Sequence, residues 1–452
     1  MIGSPPLGRA TTAPEGSETA YLQGPDRHFR IILLILLLSP ILGWNGIIVA
    51  LIVAFRHFLR TPIDASIAQS SRSFWMISLV FLGYYATCVL TDLFHPPHEG
   101  YWNQFEVLIP LLTALYYLAH RCKIIIPYET LVSTARHVVL IIFILTGLEY
   151  LYFSEIRQIP WHRSALLAGN TLHVSHWLPT LTLFSIGFLS KNDKLETLKS
   201  TAILVLSEIA LLYFMQARTS LLILLLLGTP VILMQVVHQI NFQWVSGKFG
   251  RYIALGIAYL TLISSINWLM THHAPERLRL VFASGFNIEE IARKDISLET
   301  RIEYWKAGIQ ALKEQPIYGH GSGQEYQILK KYVPTEFSYH RHAHQQFISF
   351  GIAGGFLAII FGALLIFSPV IYGLMNREYV TRSIHLTVFL AIPVMLNAMT
   401  DSLLTNERHV AIFFLFFTIV FSVRQRSIKI PCAKEPNSVL EKRDARPEAR
   451  ET

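Results

Sequence analysis

Charge is scarce in this chain. Only 15% of its residues are Asp, Glu, Lys or Arg, where a soluble globular protein carries about 25%. That is too little to solvate an ordinary surface, so a water-soluble fold is excluded. Cysteine is scarce as well. The three present (Cys88, Cys122, Cys432) form neither a disulfide framework nor a CxxC metal pair. The acidic residues Glu289, Glu290, Asp295, Glu299 and Glu303 make no DxD pattern of the kind that holds a metal-bound nucleotide sugar. There is no repeat unit and no inverted-repeat signal of the transporter type. The first apolar run continues past any small-residue cleavage site, which argues against a cleaved signal peptide.

What the chain has instead is length in apolar runs. Of 452 residues, 52% are hydrophobic, and the runs reach the ~20 residues that cross a bilayer core of about 30 Å. The first, "FRIILLILLLSPILGWNGIIVALIVAFRHFLR", is interrupted by Pro40, Gly43, Asn45 and Gly46 and reads as a long span or a hairpin. Others follow near 73–92, 105–119, 136–153, 174–190, 199–215, 219–237, 252–271, 346–374, 383–404 and 409–423. With the first run as a hairpin, the expectation is an all-α polytopic membrane bundle of about twelve spans. Residues 1–26, polar and rich in Gly, Pro, Ser and Thr, read as a disordered cytoplasmic tail. Residues 27–271 carry the first nine spans, 272–345 a large loop, 346–424 the last three spans, and 425–452 a basic cytoplasmic tail.

Positive charge orients the bundle. "RHFLRTPIDASIAQSSR", "RCKIIIPYETLVSTAR", "KNDKLETLK", "SGKFGR", "NREYVTR" and "RQRSIKI" all fall on one side when the spans alternate, and that side is the cytoplasm. The net charge of +8 is therefore a topology signal, with no nucleic-acid partner implied. The loop 272–345 falls on the opposite face. Within it, "TRIEYWKAGIQALKEQPIYGHGSG" reads as a helix, with Thr300 and Glu303 as a capping box and Ile302, Trp305, Ile309 and Leu312 as an apolar stripe. Pro316 and Gly319 end it, and a second short helix is expected over 323–332. The loop is thus a helical cap over the bundle.

Three groups of residues are candidates for chemistry. Arg218, in "LLYFMQARTSLLILLLL", is the lone charge between two apolar spans, and charge at a membrane face marks either function or an arginine snorkelling to headgroups. Arg301 falls in the first turn of a helix capped by Thr300, where an anion is favoured and an arginine is useful only if one docks. Two such arginines grip a pyrophosphate bidentately. In "FSYHRHAHQQFISFGIAGG" the histidines His340, His342 and His344 crowd the mouth of a span. They suit a zinc ion, with His320 as a further ligand, a hydrated interfacial cluster, or one neutral imidazole acting as general base. "GHGSG" at 319–323 offers backbone N–H groups to a phosphate or is a simple turn. "DLFHPPHEGYWNQFE" and "IPWHRSALLAGNTLHVSHW" face the same side without an assigned role.

These blocks, in this order, resemble the O-antigen ligase family, membrane glycosyltransferases that share a domain with O-antigen polymerases. "QARTSLLILL", "RIEYWKAGIQALKEQPIYGHGSG" and "HAHQQFISFGIAGG" carry the resemblance, over about residues 200–405. Gln345 departs from it, standing where the family commonly has Asn. The resemblance implies a bacterial inner-membrane enzyme with its site facing the periplasm and the cap as a periplasmic loop. It implies transfer of a glycan from undecaprenyl pyrophosphate to lipid A–core in lipopolysaccharide biosynthesis, with inversion and with no cofactor or metal. Arg218 and Arg301 would then bind the pyrophosphate, and His344, or else His342, would be the catalytic base. The cationic loop suits such anionic substrates.

Two rival readings stand beside this one. A polymerase uses the same donor with a lipid-linked glycan as acceptor, and the motifs do not separate the two. A transporter or flippase belongs to a different class, and expects charged or broken helices near mid-membrane.

Overall fold

The computed structural model describes residues 72–94, 126–156, 171–187, 193–239, 296–337, 342–375 and 380–424, less a few single positions, with short pieces of the first apolar run. Most of the expected spans near 105–119 and 252–271, most of the first run and both tails lie outside the described residues. What is described is helical. The helices are α1 (Arg72–Phe94), α2 (Tyr128–Leu151), α3 (Thr171–Ile186), α4 (Lys194–Ile209), α5 (Arg218–Ile223), α6 (Thr229–Gln239), α7 (Ile296–Glu314), α8 (Glu325–Tyr332), α9 (Gln346–Met375), α10 (Val380–Thr400) and α11 (Glu407–Ser422). Among the described residues, four stretches are long and apolar enough to cross a membrane: Tyr128–Ser154, Lys194–Phe214, Thr219–Val236 and Gln346–Met375. Shorter apolar helices span Trp75–Thr91, Thr387–Thr400 and His409–Phe421.

Lipid is as apolar as a leucine side chain, so helices in a bilayer associate through shape and close packing. Here the contact surface is aromatic. Phe413, Phe414, Phe416 and Phe417 on α11 are fully buried. Phe414 meets Phe81 of α1 at 4.8 Å between ring centroids, and Phe416 meets Trp177 of α3 at 5.2 Å. Around this seam α9 packs on α1 and α10, and α3 packs on α2 and α10.

Polar ties mark the two ends of the bundle. At one end Arg136 of α2 donates to the Ser185 carbonyl and Ser200 Oγ, both at 3.0 Å, and pairs with Glu196. Asp193 caps α4 there, accepting from the Leu195 and Glu196 N–H groups. A two-residue parallel pairing, Ile126 with Val423 and Pro127 with Arg424, brings the end of α11 beside the start of α2. These segments are the ones whose positive charge leads to the expectation of a cytoplasmic side. The starts of α3, α5 and α9 and the end of α10 lie at the other end.

Over that end sits the cap, α7 and α8, with its own small core of Tyr304, Ala307, Ala311, Ile328, Leu329, Val333 and Phe337. Two details of α7 correct the sequence reading. The helix begins at Ile296, and Thr300 Oγ1 donates back to the Ile296 carbonyl at 2.6 Å, so Thr300 is an interior residue and no cap. Arg301 therefore stands in the second turn, beyond the free N–H groups of the helix start. The buried face is also rotated. Thr300, Tyr304, Ala307, Gly308 and Ala311 face inward while Ile309 is 48% exposed. Small residues win that face because α9 approaches closely: a Cβ on Gly308 would fall 2.1 Å from Ile348 Cγ2.

For "GHGSG" the structure favours the turn over the phosphate loop. The His320 and Gly321 N–H groups donate to the Ile352 and Ala353 carbonyls of α9, at 2.6 and 3.0 Å, and the Phe356 N–H donates to the Pro316 carbonyl at 2.7 Å. These N–H groups are spent on the fold and are not available to a phosphate. The carbonyls are free to accept because α9 breaks at Gly354 and Gly355, the latter at φ 64° and ψ −154°, a conformation open only to glycine. A Cβ on Gly355 would lie 2.2 Å from the Ile317 carbonyl oxygen. The membrane helix is broken near its start, and the cap loop seals the break.

Candidate functional site

The loop entering α9 is tied down from several sides. Glu325 of α8 accepts from the Ala343 N–H and from Ser349 Oγ, both at 2.7 Å, so one carboxyl group holds the loop against α9. Its burial pushes the group up to about 7. Gln345 Oε1 accepts from the Ile348 N–H at 2.6 Å, satisfying one of the four free donors of the helix start. An amide at 345 is thus what the local fold needs. Gln346 Oε1 accepts from the Leu404 N–H, joining the loop to the segment after α10.

Between these ties stand the histidines. His344 is buried at φ 53°, and its ring meets that of His342 edge-on, with centroids 4.3 Å apart. His344 Nδ1 lies 3.3 Å from Asp401 Oδ1, just past the end of α10. The other carboxylate oxygen, Oδ2, lies 3.5 Å from His176 Nε2 on α3. Asp401 and His176 are both buried. His340 lies outside the described residues.

Asp401 and His176 were not singled out as site residues from the sequence. His176 falls in a stretch read only as facing this side. Asp401 is the first charged residue after an apolar run, and the rule that draws attention to Arg218 would have found it. Asn397, one turn before Asp401, accepts from Ser220 Oγ at 3.5 Å and donates to the His176 carbonyl at 3.0 Å. It thereby knits α5, α3 and α10 together beneath the carboxylate.

The arginines approach from two directions. Arg218 opens α5, two residues before Ser220, so its backbone lies at the same end of the bundle as Asp401. Arg301 comes from the cap, on α7. Candidates drawn from distant parts of the chain thus gather at one end.

His320 does not join them. Its Nε2 pairs with the Ala311 carbonyl at 2.9 Å, a structural tie within the cap. A zinc site using His320 is therefore not what the fold builds. The side chains that do cluster with metal-ligand chemistry are His342, His344 and Asp401, whose donor atoms lie within 4.8 Å of one another.

Residues 201–363 match the protein-family model described as O-antigen ligase. This part of the chain is similar to the O-antigen ligase family domain. No curated protein matches the chain. The O-antigen ligase match runs from α4 through the cap to the first part of α9, and takes in Arg218, Arg301, His342 and His344. His176 and Asp401 fall outside it, so the helices flanking the O-antigen ligase domain complete the cluster. The match and the long apolar helices both fit an integral membrane protein.

Proposed function

We propose that the protein is an O-antigen ligase of the bacterial inner membrane, an inverting glycosyltransferase whose site faces the periplasm. It moves an O-antigen glycan from undecaprenyl pyrophosphate to a sugar hydroxyl of lipid A–core. The observation that carries this is the Asp401–His344 contact at 3.3 Å, at the end of the bundle that the two arginines of the matched domain approach.

The chemistry follows from that arrangement. His344 donates its Nδ1–H to Asp401, which leaves the Nε2 lone pair as the base. Nε2 takes the proton of the acceptor hydroxyl as its oxygen attacks the anomeric carbon. The bond from that carbon to the pyrophosphate oxygen breaks on the opposite face, and undecaprenyl pyrophosphate leaves with the electron pair. Arg218 and Arg301 hold the two phosphates and stabilise the charge that grows there. The leaving group is already activated, so the scheme requires no nucleotide or metal. His342, in ring contact with His344, is the alternative base.

Deleting the gene in a strain that makes O-antigen tests the reading through the banding of its lipopolysaccharide. Bare core, with long chains accumulating on undecaprenyl pyrophosphate, is the expected pattern. Core carrying single repeat units would assign polymerase activity instead. An unchanged pattern would remove both.

A further inference from the structure

The His342, His344 and Asp401 cluster has a property that the transfer scheme does not use. Its donors are two imidazole nitrogens and a carboxylate oxygen, all within 4.8 Å. First-row transition metals, zinc above all, bind such sets with metal–ligand distances of about 2.0–2.2 Å. Tetrahedral geometry at that radius puts neighbouring donors roughly 3.3 Å apart. His344 Nδ1 and Asp401 Oδ1 are 3.3 Å apart already. The other carboxylate oxygen, Oδ2, stands 3.5 Å from His176 Nε2. The set is prepared in other ways too. His344 and Asp401 are buried while His342 is half-buried. Gln346 and Asn397 tether the two backbones that carry the ligands.

We infer that His342, His344 and Asp401 form a transition-metal site of zinc type, and that a bound ion silences transfer. Three side chains converge there from two separate segments, and a single Zn²⁺ replaces the His344 to Asp401 hydrogen bond by two metal–ligand bonds. His344 then gives its Nδ1 lone pair to the ion and carries its one ring proton on Nε2, so Nε2 no longer accepts the proton of the acceptor hydroxyl and the site is inhibitory.

The inhibitory half rests on the reading of His344 as the base, whereas the binding half does not. The test therefore has two arms on the purified full-length protein. In the first, Co²⁺ is titrated and followed by its visible absorption, and Zn²⁺ by calorimetry. One ion per chain is expected, with the intense bands of a four-coordinate site. Affinity should fall at least tenfold in His342→Ala and in Asp401→Asn, and should be unchanged in His137→Ala, whose exposed ring lies on α2. Size-exclusion profiles identify any variant that fails to fold, and His342→Gln replaces His342→Ala in that case. No bound ion, or equal binding in all variants, overturns the inference. In the second arm, Zn²⁺ at micromolar concentration should stop transfer and a chelator should restore it. Binding without inhibition overturns the inhibitory half and counts against His344 as base. Intact binding in a protein that transfers no glycan under any condition removes the proposed function and leaves the metal site standing.

Discussion

His344 is the one non-glycine residue with positive φ among those described, at 53°. That left-handed conformation is uncommon for a residue with a side chain, and persists where neighbours over-determine it. Glu325 on the Ala343 N–H, Gln345 as the cap of α9 and Asp401 on Nδ1 are those neighbours. If Asp401 fixes which nitrogen of His344 carries the proton, the two residues act as a unit, and their losses will not add. His344→Ala should lower transfer by about a hundredfold or more, in line with the loss of a general base. Asp401→Asn should cost about a hundredfold while preserving the shape of the site, and the double variant should be no worse than His344→Ala. Initial rates with a lipid-linked donor, on variants matched for membrane level, check this. Full additivity would separate Asp401 from the base. At this scale the sequence was half legible. The histidines and arginines announce themselves by their setting, but nothing along the chain says that Asp401, 57 residues past His344, lies against it. That pairing exists only once α9 and α10 fold back on each other.

Helices were legible where the apolar run is long, and their ends were not. The start of α7 was placed one turn late because Thr300 with Glu303 imitates a capping box. The decisive information was tertiary, since the close approach of α9 leaves no room for a side chain at Gly308, on the inward face. The break in α9 was hidden for a related reason, because two glycines in an apolar run look like packing residues until another loop supplies the donors. The short helix α8 contributes a pH-sensitive group. The Glu325 carboxyl rises from 4.5 to about 7 on burial. A carboxyl group raised in the folded state binds a proton that the unfolded chain releases. Its contribution therefore favours folding below about pH 4.5, declines as pH climbs toward 7, and is level above that. The whole change is about 3 kcal/mol at most. Melting of the detergent-solubilised protein should thus fall between pH 5 and pH 7.5, and Glu325→Gln, which keeps an acceptor oxygen without the proton equilibrium, should flatten that slope. An identical slope in the variant would place the pH dependence elsewhere.

Across the whole molecule, the arrangement of ends follows from charge, because the bilayer leaves few alternatives. Lys and Arg gather in the segments that become the starts of α2 and α4 and the end of α11, and the fold binds these together through Arg136 and the Ile126–Val423 pairing. The cap and the histidine cluster occupy the opposite end, so the expected orientation puts Tyr318 in the periplasm and Leu195 in the cytoplasm. Both side chains are exposed, at 61% and 58%, and each can carry a reporter thiol. In a background with Cys88, Cys122 and Cys432 replaced, Tyr318→Cys should react with a membrane-impermeant maleimide once the outer membrane is opened. Leu195→Cys should react only after the inner membrane is permeabilised. The reverse pattern would put the histidine cluster on the cytoplasmic face, away from any glycan already flipped across the membrane, and the transfer proposed for it would have no donor.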